Sequence, residues 1–207
     1  MFLPNMITGQ NIDLTAGRID TINNISFVTI DQQVQITCMN DRIDVIVNGN
    51  ERNQTIPIIR HIEFARNTLK MLMNGHHVYS NRLAINVSLL SKEIDNEEQI
   101  QDTNLGKKLC KTFSFYTGQP LEEWSTRANS RRAIQMDSEE TLNVITEISS
   151  VLDNKLGKKR FLCHMDINTL FENSGYRFSG DNLEQFDVEV VKIIENIRND
   201  FEEVNNG

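Results

Sequence analysis

The sequence predicts an α+β fold in which antiparallel sheets pack against amphipathic helices. Three observations indicate it: two apolar stripes with helical spacing, several stretches that alternate apolar and polar residues, and turn residues between those stretches. The predicted order is β-β-β-α-β followed by α-β-β-β-α. A chain of 207 residues suits a single compact domain over 1–207, or two intimately packed halves, 1–92 and 93–207.

The first predicted elements are three strands of an antiparallel meander. Apolar and polar residues alternate over 19–30, and the alternation resumes over 34–38 after a polar interruption. An Asn-Asp pair at 40–41 turns the chain into a third strand over 43–47. That strand ends at the Asn-Gly pair of 48–49, which is typical of tight hairpin turns.

An amphipathic helix and a fourth strand complete the first half. Pro57 suits the first turn of the helix, and Gly75 is expected to end it. The apolar stripe between them has spacings of three and four residues and consists of Ile58, Ile62, Ala65, Leu69 and Leu72. The strand over 83–89 alternates apolar and polar residues, so one of its faces should meet solvent.

The second half is predicted as a helix, three strands and a terminal helix. A helical pattern covers 96–111, and strands are expected over 130–136, 142–152 and 161–167. The loop 153–159 joins the last two strands as a hairpin.

The terminal helix has both a start signal and a long apolar stripe. Asp181 is a suitable N-cap residue, and Glu184 stands three positions later, as in a capping box. The stripe that should cover the sheet consists of Phe186, Val190, Ile193, Ile197 and Phe201.

Four short strings in the sequence are V-I-V-N at 45–48, N-R-L-A-I-N-V at 81–87, F-L-C-H-M-D-I at 161–167 and N-D-F-E at 199–202. With the order of elements around them, they resemble a sporadically distributed family of uncharacterised prokaryotic proteins. That family has a strand of the type R-I-G-L-R-Y-I-N after an amphipathic helix, and an apolar strand ending in D-I-D before a long terminal helix that closes in F-E. The resemblance covers roughly 34–203, lacks the Gly, the Tyr and the second Asp of the family strings, and implies a fold without catalytic residues.

Composition and charge argue against several classes of function. Lys and Arg number 21 against 29 Asp and Glu, and the net charge of −8 disfavours unspecific binding to nucleic acid. No window approaches the ~18 apolar residues that span a bilayer, and the start lacks a signal-peptide pattern. We therefore expect a cytoplasmic protein with no membrane partner, whose Cys38, Cys110 and Cys163 are reduced thiols.

Catalytic and cofactor motifs do not assemble in the sequence. His76-His77 lacks further ligands at metal-binding spacing, and the Gly-Lys segments at 106–108 and 157–160 lack the other residues of a phosphate-binding loop. We therefore expect no metal and no cofactor.

Cys163 and His164 are neighbours, but a strand directs their side chains to opposite faces. Cys163 belongs to the apolar face, where burial raises the pKa of a thiol and makes it inert. His164 and Asp166 share the other face, in the manner of a base and its orienting carboxylate, yet the sequence ties no nucleophile to them. We expect a structural pairing and assign no catalytic residue.

Binding residues are the remaining candidates. Two aromatic residues, Tyr116 and Trp124, are candidates for contact with another protein. A basic group is a candidate for binding an anion or an acidic partner surface, unless it is only a solvated hairpin tip with scattered charges. It consists of Arg127, Arg131, Arg132, Lys155, Lys158, Lys159 and Arg160.

The leading hypothesis is a non-enzymatic cytosolic protein that interacts with another protein or with a second copy of itself. The 24 Asn and 23 Ile, residues with AT-rich codons, suggest a bacterial or phage source and, by association, a role in phage defence or toxin control. The alternative is a nucleic-acid-binding or nucleotide-binding factor that uses the basic hairpin. A third hypothesis is a hydrolase whose site is assembled from dispersed residues.

Overall fold

The structure is a computed structural model with an α+β fold, as the sequence predicts. The residues described are 2–4, 11–13, 17–20, 24–29, 33–39, 41–49, 57–91, 124–153, 157–170 and 175–206. They belong to two compact units, each built from two stretches of chain. Met1–Ser80 and Tyr176–Asp187 form the first unit, and Asn81–Gly175 and Val188–Gly207 form the second. The predicted helix over 96–111 lies outside the described residues.

The first unit contains two antiparallel sheets. A two-stranded sheet pairs β1 (Phe2–Pro4) with β2 (Asn11–Asp13). A four-stranded sheet follows chain order and contains β3 (Gly17–Asp20), β4 (Asn24–Val28), β5 (Val34–Met39) and β6 (Ile43–Val47). The predicted meander is confirmed as β4 to β6. The strand predicted over 19–30 is divided between β3 and β4, because strands of three to five residues show too little alternation to be separated in sequence.

Helix α1 (Ile58–His76) packs against β6 in the first unit. The centre of this core is Phe64, which is 1% exposed and clusters with Val34 and Ile36. Thr68 is buried beside it, and its Oγ1 donates a hydrogen bond to the carbonyl oxygen of Phe64 at 2.9 Å. Ile62 of the predicted stripe is buried and Leu72 packs against this cluster, and the buried side also extends to Phe64 and Met73 on the neighbouring face of the helix.

The end of α1 differs from the prediction. Gly75 lies inside the helix, and the residue that stops it is His77, whose φ of 53° is left-handed. The backbone N–H groups of His77 and Val78 donate to the carbonyl oxygens of Asn74 at 3.4 Å and Met73 at 2.9 Å. These bonds satisfy carbonyl groups that the last helical turn leaves open.

Helix α2 (Asn182–Asn206) starts in the first unit and ends in the second. Asp181 and Glu184 do not act as the predicted capping box but pair with Lys70 of α1, whose Nζ lies 3.2 Å and 2.7 Å from their carboxylate oxygens. The backbone N–H of Ser179 donates instead to Oδ1 of Asn182 at 2.8 Å. The two acidic residues that the sequence predicts as a capping box therefore form ion pairs with Lys70, a contact that the sequence did not predict.

The second unit contains one antiparallel sheet in the order β7-β10-β9-β8. Its strands are β7 (Ala84–Leu90), β8 (Ser125–Gln135), β9 (Glu139–Asp153) and β10 (Lys158–Thr169). The strands predicted over 83–89, 130–136, 142–152 and 161–167 are confirmed, and β9 and β10 pair as the predicted hairpin.

One face of this sheet is the core of the second unit. Every second residue of β10 from Phe161 to Ile167 is at most 2% exposed, as the alternation predicts. Of the predicted α2 stripe in this unit, Val190, Ile193 and Phe201 are buried and Ile197 is partly buried, while Ile194, which the stripe did not include, is 0% exposed. Among the described residues, no helix is long and apolar enough to cross a membrane.

Candidate functional site

Strand β8 is an edge of the second unit's sheet and has one neighbouring strand, β9, within the described ranges. The two pair over the full length of β8, from Ser125 opposite Ser149 to Gln135 opposite Glu139. Ile134 and the adjoining Met136 are buried and anchor one end. Every residue from Arg127 to Ala133 is exposed, on both faces of the strand.

The hydrogen bonds at the two ends of β8 show which backbone groups face β9. Ser150 donates its N–H to the carbonyl oxygen of Trp124 at 3.2 Å, and Met136 donates to Ser138 at 3.0 Å. Because antiparallel strands alternate between inward and outward backbone groups, the even-numbered residues of β8 pair with β9. The backbone N–H and C=O groups of Arg127, Asn129 and Ala133 therefore point to the outer edge.

The three arginines of β8 lie on both faces of the strand. Arg127 and Arg131 share one face and stand four residues apart, about 14 Å along a strand. Arg132 lies on the opposite face, because neighbouring residues of a strand alternate. All three are exposed.

Lys159 of the β9–β10 hairpin lies away from the arginines of β8. The register places Arg127 and Glu147 in one row with His164, five residues from Lys159. That offset is about 17 Å along the strands, and two strand spacings add about 10 Å across the sheet. The structure therefore does not bring Lys159 of the hairpin together with the arginines of β8.

Of the other predicted binding residues, Arg160 and Trp124 are partly buried, and the rest are described only in part or not at all. Arg160 is partly buried, and its Nη1 donates to the carbonyl oxygen of Ser91 at 3.2 Å, which gives it a structural contact. Lys155 and Tyr116 lie outside the described residues, and Lys158 is described in its backbone only. Trp124 is partly buried, and its ring centroid lies 5.6 Å from that of Phe161 at an angle of 50°.

A row of polar residues crosses the face of the sheet opposite the core. The register places Ser88 of β7, His164 of β10, Glu147 of β9 and Arg127 of β8 directly opposite one another. Oγ of Ser88 and Nδ1 of His164 share a hydrogen bond of 3.0 Å. Asp166 does not orient His164 in this arrangement, because it accepts a hydrogen bond from Nδ2 of Asn168 at 2.9 Å.

Ser88 and Glu147 are not among the site residues that the sequence predicts. Ser88 was visible only as part of a polar strand face, and it meets His164 because β7 and β10 are adjacent across 76 residues of chain. Local alternation gives the face of each residue but not the neighbouring strand or its register.

Cys163 lies on the buried face of β10, as the sequence predicts. Cys163 is 0% exposed, and burial raises the pKa of its thiol to about 11. His76 and His77 are exposed at the end of α1. In the part of the chain that the structure describes, no three His, Cys, Asp or Glu side chains are grouped to hold a metal ion.

No family model, curated protein or solved structure matches this chain. The resemblance to the prokaryotic family stays a prediction, and we infer the function from the geometry of the second unit.

Proposed function

We propose that this protein binds an extended acidic segment of another protein, which adds to the edge of the sheet as a strand beside β8. The supporting observation is that, among the strands the structure describes, the eleven-residue β8 has β9 as its one neighbour and is exposed on both faces from Arg127 to Ala133. An edge strand offers unpaired backbone donors and acceptors, and extended peptides bind such edges through main-chain hydrogen bonds.

The charge of β8 favours an acidic occupant. The segment S-T-R-A-N-S-R-R-A-I-Q contains three arginines and no acidic residue, on a chain with a net charge of −8. Acidic residues opposite these arginines stabilise the added strand, since opposite charges across neighbouring strands attract. A second copy of β8 would bring six arginines into two adjacent strands, and like charges opposite one another are destabilising. The charge pattern therefore favours another protein over self-association.

Two proline variants of β8 test the proposal. The probe is a fluorescent, end-blocked peptide that alternates threonine with glutamate, and fluorescence anisotropy measures its binding. We expect Asn129→Pro to weaken binding at least tenfold, because proline removes an outward N–H and leaves the β9 ladder intact. Its melting temperature should change little. The matched variant Ala128→Pro removes an inward N–H, so it should destabilise the sheet itself.

Charge variants test the nature of the partner. Arg127→Gln and Arg132→Gln should each weaken binding of the acidic peptide and reduce its salt dependence, whereas a peptide with lysine in place of glutamate should not bind the native protein. Sedimentation velocity should show no strand-mediated dimer. Equal binding of both peptides, unchanged binding by Asn129→Pro, or a dimer that Asn129→Pro dissolves would each overturn the proposal.

A further inference from the structure

The row Ser88–His164–Glu147 contains the three kinds of side chain that serine acyl-transfer enzymes use: a hydroxyl, an imidazole and a carboxylate. Ser88 and His164 already share a 3.0 Å hydrogen bond, within the reach expected of a nucleophile and its base. Glu147 occupies the opposite side of His164, one strand spacing away. Adjacent strands of one sheet hold all three residues, so their order across the sheet is fixed by backbone pairing.

We propose that Ser88 is a nucleophile activated by His164, and that the row hydrolyses small carboxylic esters. When His164 carries its proton on Nε2, Nδ1 accepts the hydroxyl proton of Ser88 while Oγ forms a bond to the ester carbonyl carbon. The ester C–O bond then breaks, and Nδ1 returns the proton to the leaving alcohol. Water next attacks the carbonyl carbon of the acyl-serine while His164 takes a proton from that water. The bond between the carbonyl carbon and Oγ of Ser88 then breaks, and His164 gives the proton to Oγ. The products are one carboxylic acid and one alcohol, and Ser88 and His164 are regenerated.

Glu147 is a positioning residue in this scheme. The imidazole becomes positively charged during each half-reaction, and a carboxylate in the same row lowers the free energy of that charged state. Ser88 is exposed and His164 is partly exposed, so a small ester reaches the hydroxyl from solvent. The exposed hydroxyl admits small esters. The row has no further group assigned to activate the carbonyl, so the substrates are esters with good leaving groups.

Covalent labelling tests the nucleophile directly. A fluorophosphonate probe reacts with a serine whose neighbouring base accepts its proton, and peptide mass spectrometry locates the adduct. We expect labelling at Ser88, no adduct there in Ser88→Ala, and labelling slowed by about 10² or more in His164→Gln, the contribution typical of a general base. Ser149→Ala is the matched control, since Ser149 lies on the same face but opposite Leu162. It should label like the native protein.

Turnover of p-nitrophenyl acetate separates serine catalysis from catalysis by an exposed imidazole alone. Ser88→Ala keeps His164 and should lose the burst of acyl-enzyme, and Glu147→Gln should lower the acylation rate without changing the site of labelling. Melting temperatures of the variants must stay near the native value for these comparisons. An unlabelled Ser88, or equal labelling in the native protein and His164→Gln, overturns the proposal and leaves the β8 proposal untouched.

Discussion

Asp187 of α2 and Arg66 of α1 form an ion pair in which the cost of burial exceeds the attraction between the charges. Oδ2 of Asp187 lies 3.6 Å from Nη1 of Arg66, and the aspartate side chain is 9% exposed. Burial raises the pKa of Asp187 to about 7, Arg66 opposes that rise, and the nearby Glu63 and Glu184 add to it. The ionised carboxylate is thus destabilising in the folded state.

The first prediction concerns the pH dependence of this pair. The folded protein binds the Asp187 proton more tightly than the unfolded chain, so the free energy of unfolding should fall as pH rises from about 4 to about 7. Asp187→Asn should stabilise the protein at pH 8 by up to about 4 kcal/mol and have little effect at pH 4. Losing the contact with Arg66 reduces that gain. Urea unfolding at several pH values measures it.

Asp181→Asn is the matched control for that prediction, because Asp181 has an 81% exposed side chain and pairs with Lys70. The same chemical change there should alter stability little at any pH. An Asp187→Asn variant less stable than the native protein at pH 8 would show that the attraction of Arg66 exceeds the cost of burial.

The second prediction compares two positions on α2. Ile194 is 0% exposed, whereas Ile197 of the predicted stripe is only partly buried. Ile194→Asp buries a charge at a cost of several kcal/mol, comparable with the ~5 to 15 kcal/mol stability of a domain, and should abolish folding. Ile197→Asp should cost less. Ile194→Val should keep the fold with a loss of about 1 kcal/mol. Thermal melts give the order, and a larger loss at Ile197 would contradict it.

Local patterns predicted most elements of the fold because the spacing of apolar residues in a strand or helix is visible within a short stretch of sequence. The buried face of β10 followed from a spacing of two residues, and a spacing of three to four residues identified the buried α2 stripe except at Ile197, which is partly buried, and Ile194, which it left out. Local patterns do not predict which elements pack against one another. The ion pairs of Lys70 with Asp181 and Glu184 join residues more than 100 positions apart, so a local capping pattern was the only visible signal.

The same distinction applies to the candidate site. Alternation alone puts Arg131 and Arg132 on opposite faces of a strand, and that was deducible from sequence. The separation of β8 from the β9–β10 hairpin tip, and the row that joins Ser88 to His164, depend on the sheet order β7-β10-β9-β8. Sheet order and register are set by long-range packing, which one sequence does not reveal.

The third prediction compares the effect of a Gly→Ala substitution on stability at two positions. Gly157 has a φ of 64°, a conformation that residues with a Cβ adopt at a cost, so Gly157→Ala should destabilise the protein by about 1 kcal/mol. Gly75 lies inside α1, and a Cβ atom added there would meet open space, so Gly75→Ala should stabilise by up to about 1 kcal/mol. Urea midpoints measure both, and equal signs would contradict the prediction.

The fourth prediction concerns thiol reactivity. Cys163 is fully buried with its pKa raised to about 11 by burial, so a thiol reagent at pH 8 should modify it only when the protein unfolds. Cys38 is partly exposed and should react sooner. Mass spectrometry after timed labelling, with Cys163→Ser as the control, separates the two thiols. Rapid modification of native Cys163 would show that the core face of β10 opens readily.

The fifth prediction separates the β8 proposal from the nucleic-acid alternative. Lys155, Lys158 and Lys159 can be replaced together by Gln, while Arg160 is kept because it donates to the carbonyl oxygen of Ser91. We expect this variant to bind the acidic peptide as the native protein does, since Lys159 lies five residues along β10 from the row that contains Arg127. We also expect neither protein to bind RNA or DNA, because the net charge of −8 opposes polyanion binding. The function would instead belong to the hairpin if the native protein bound RNA with a steep salt dependence and the variant bound it with a weaker one. The slope of log K against log salt concentration should then fall by the equivalent of up to about three phosphate contacts.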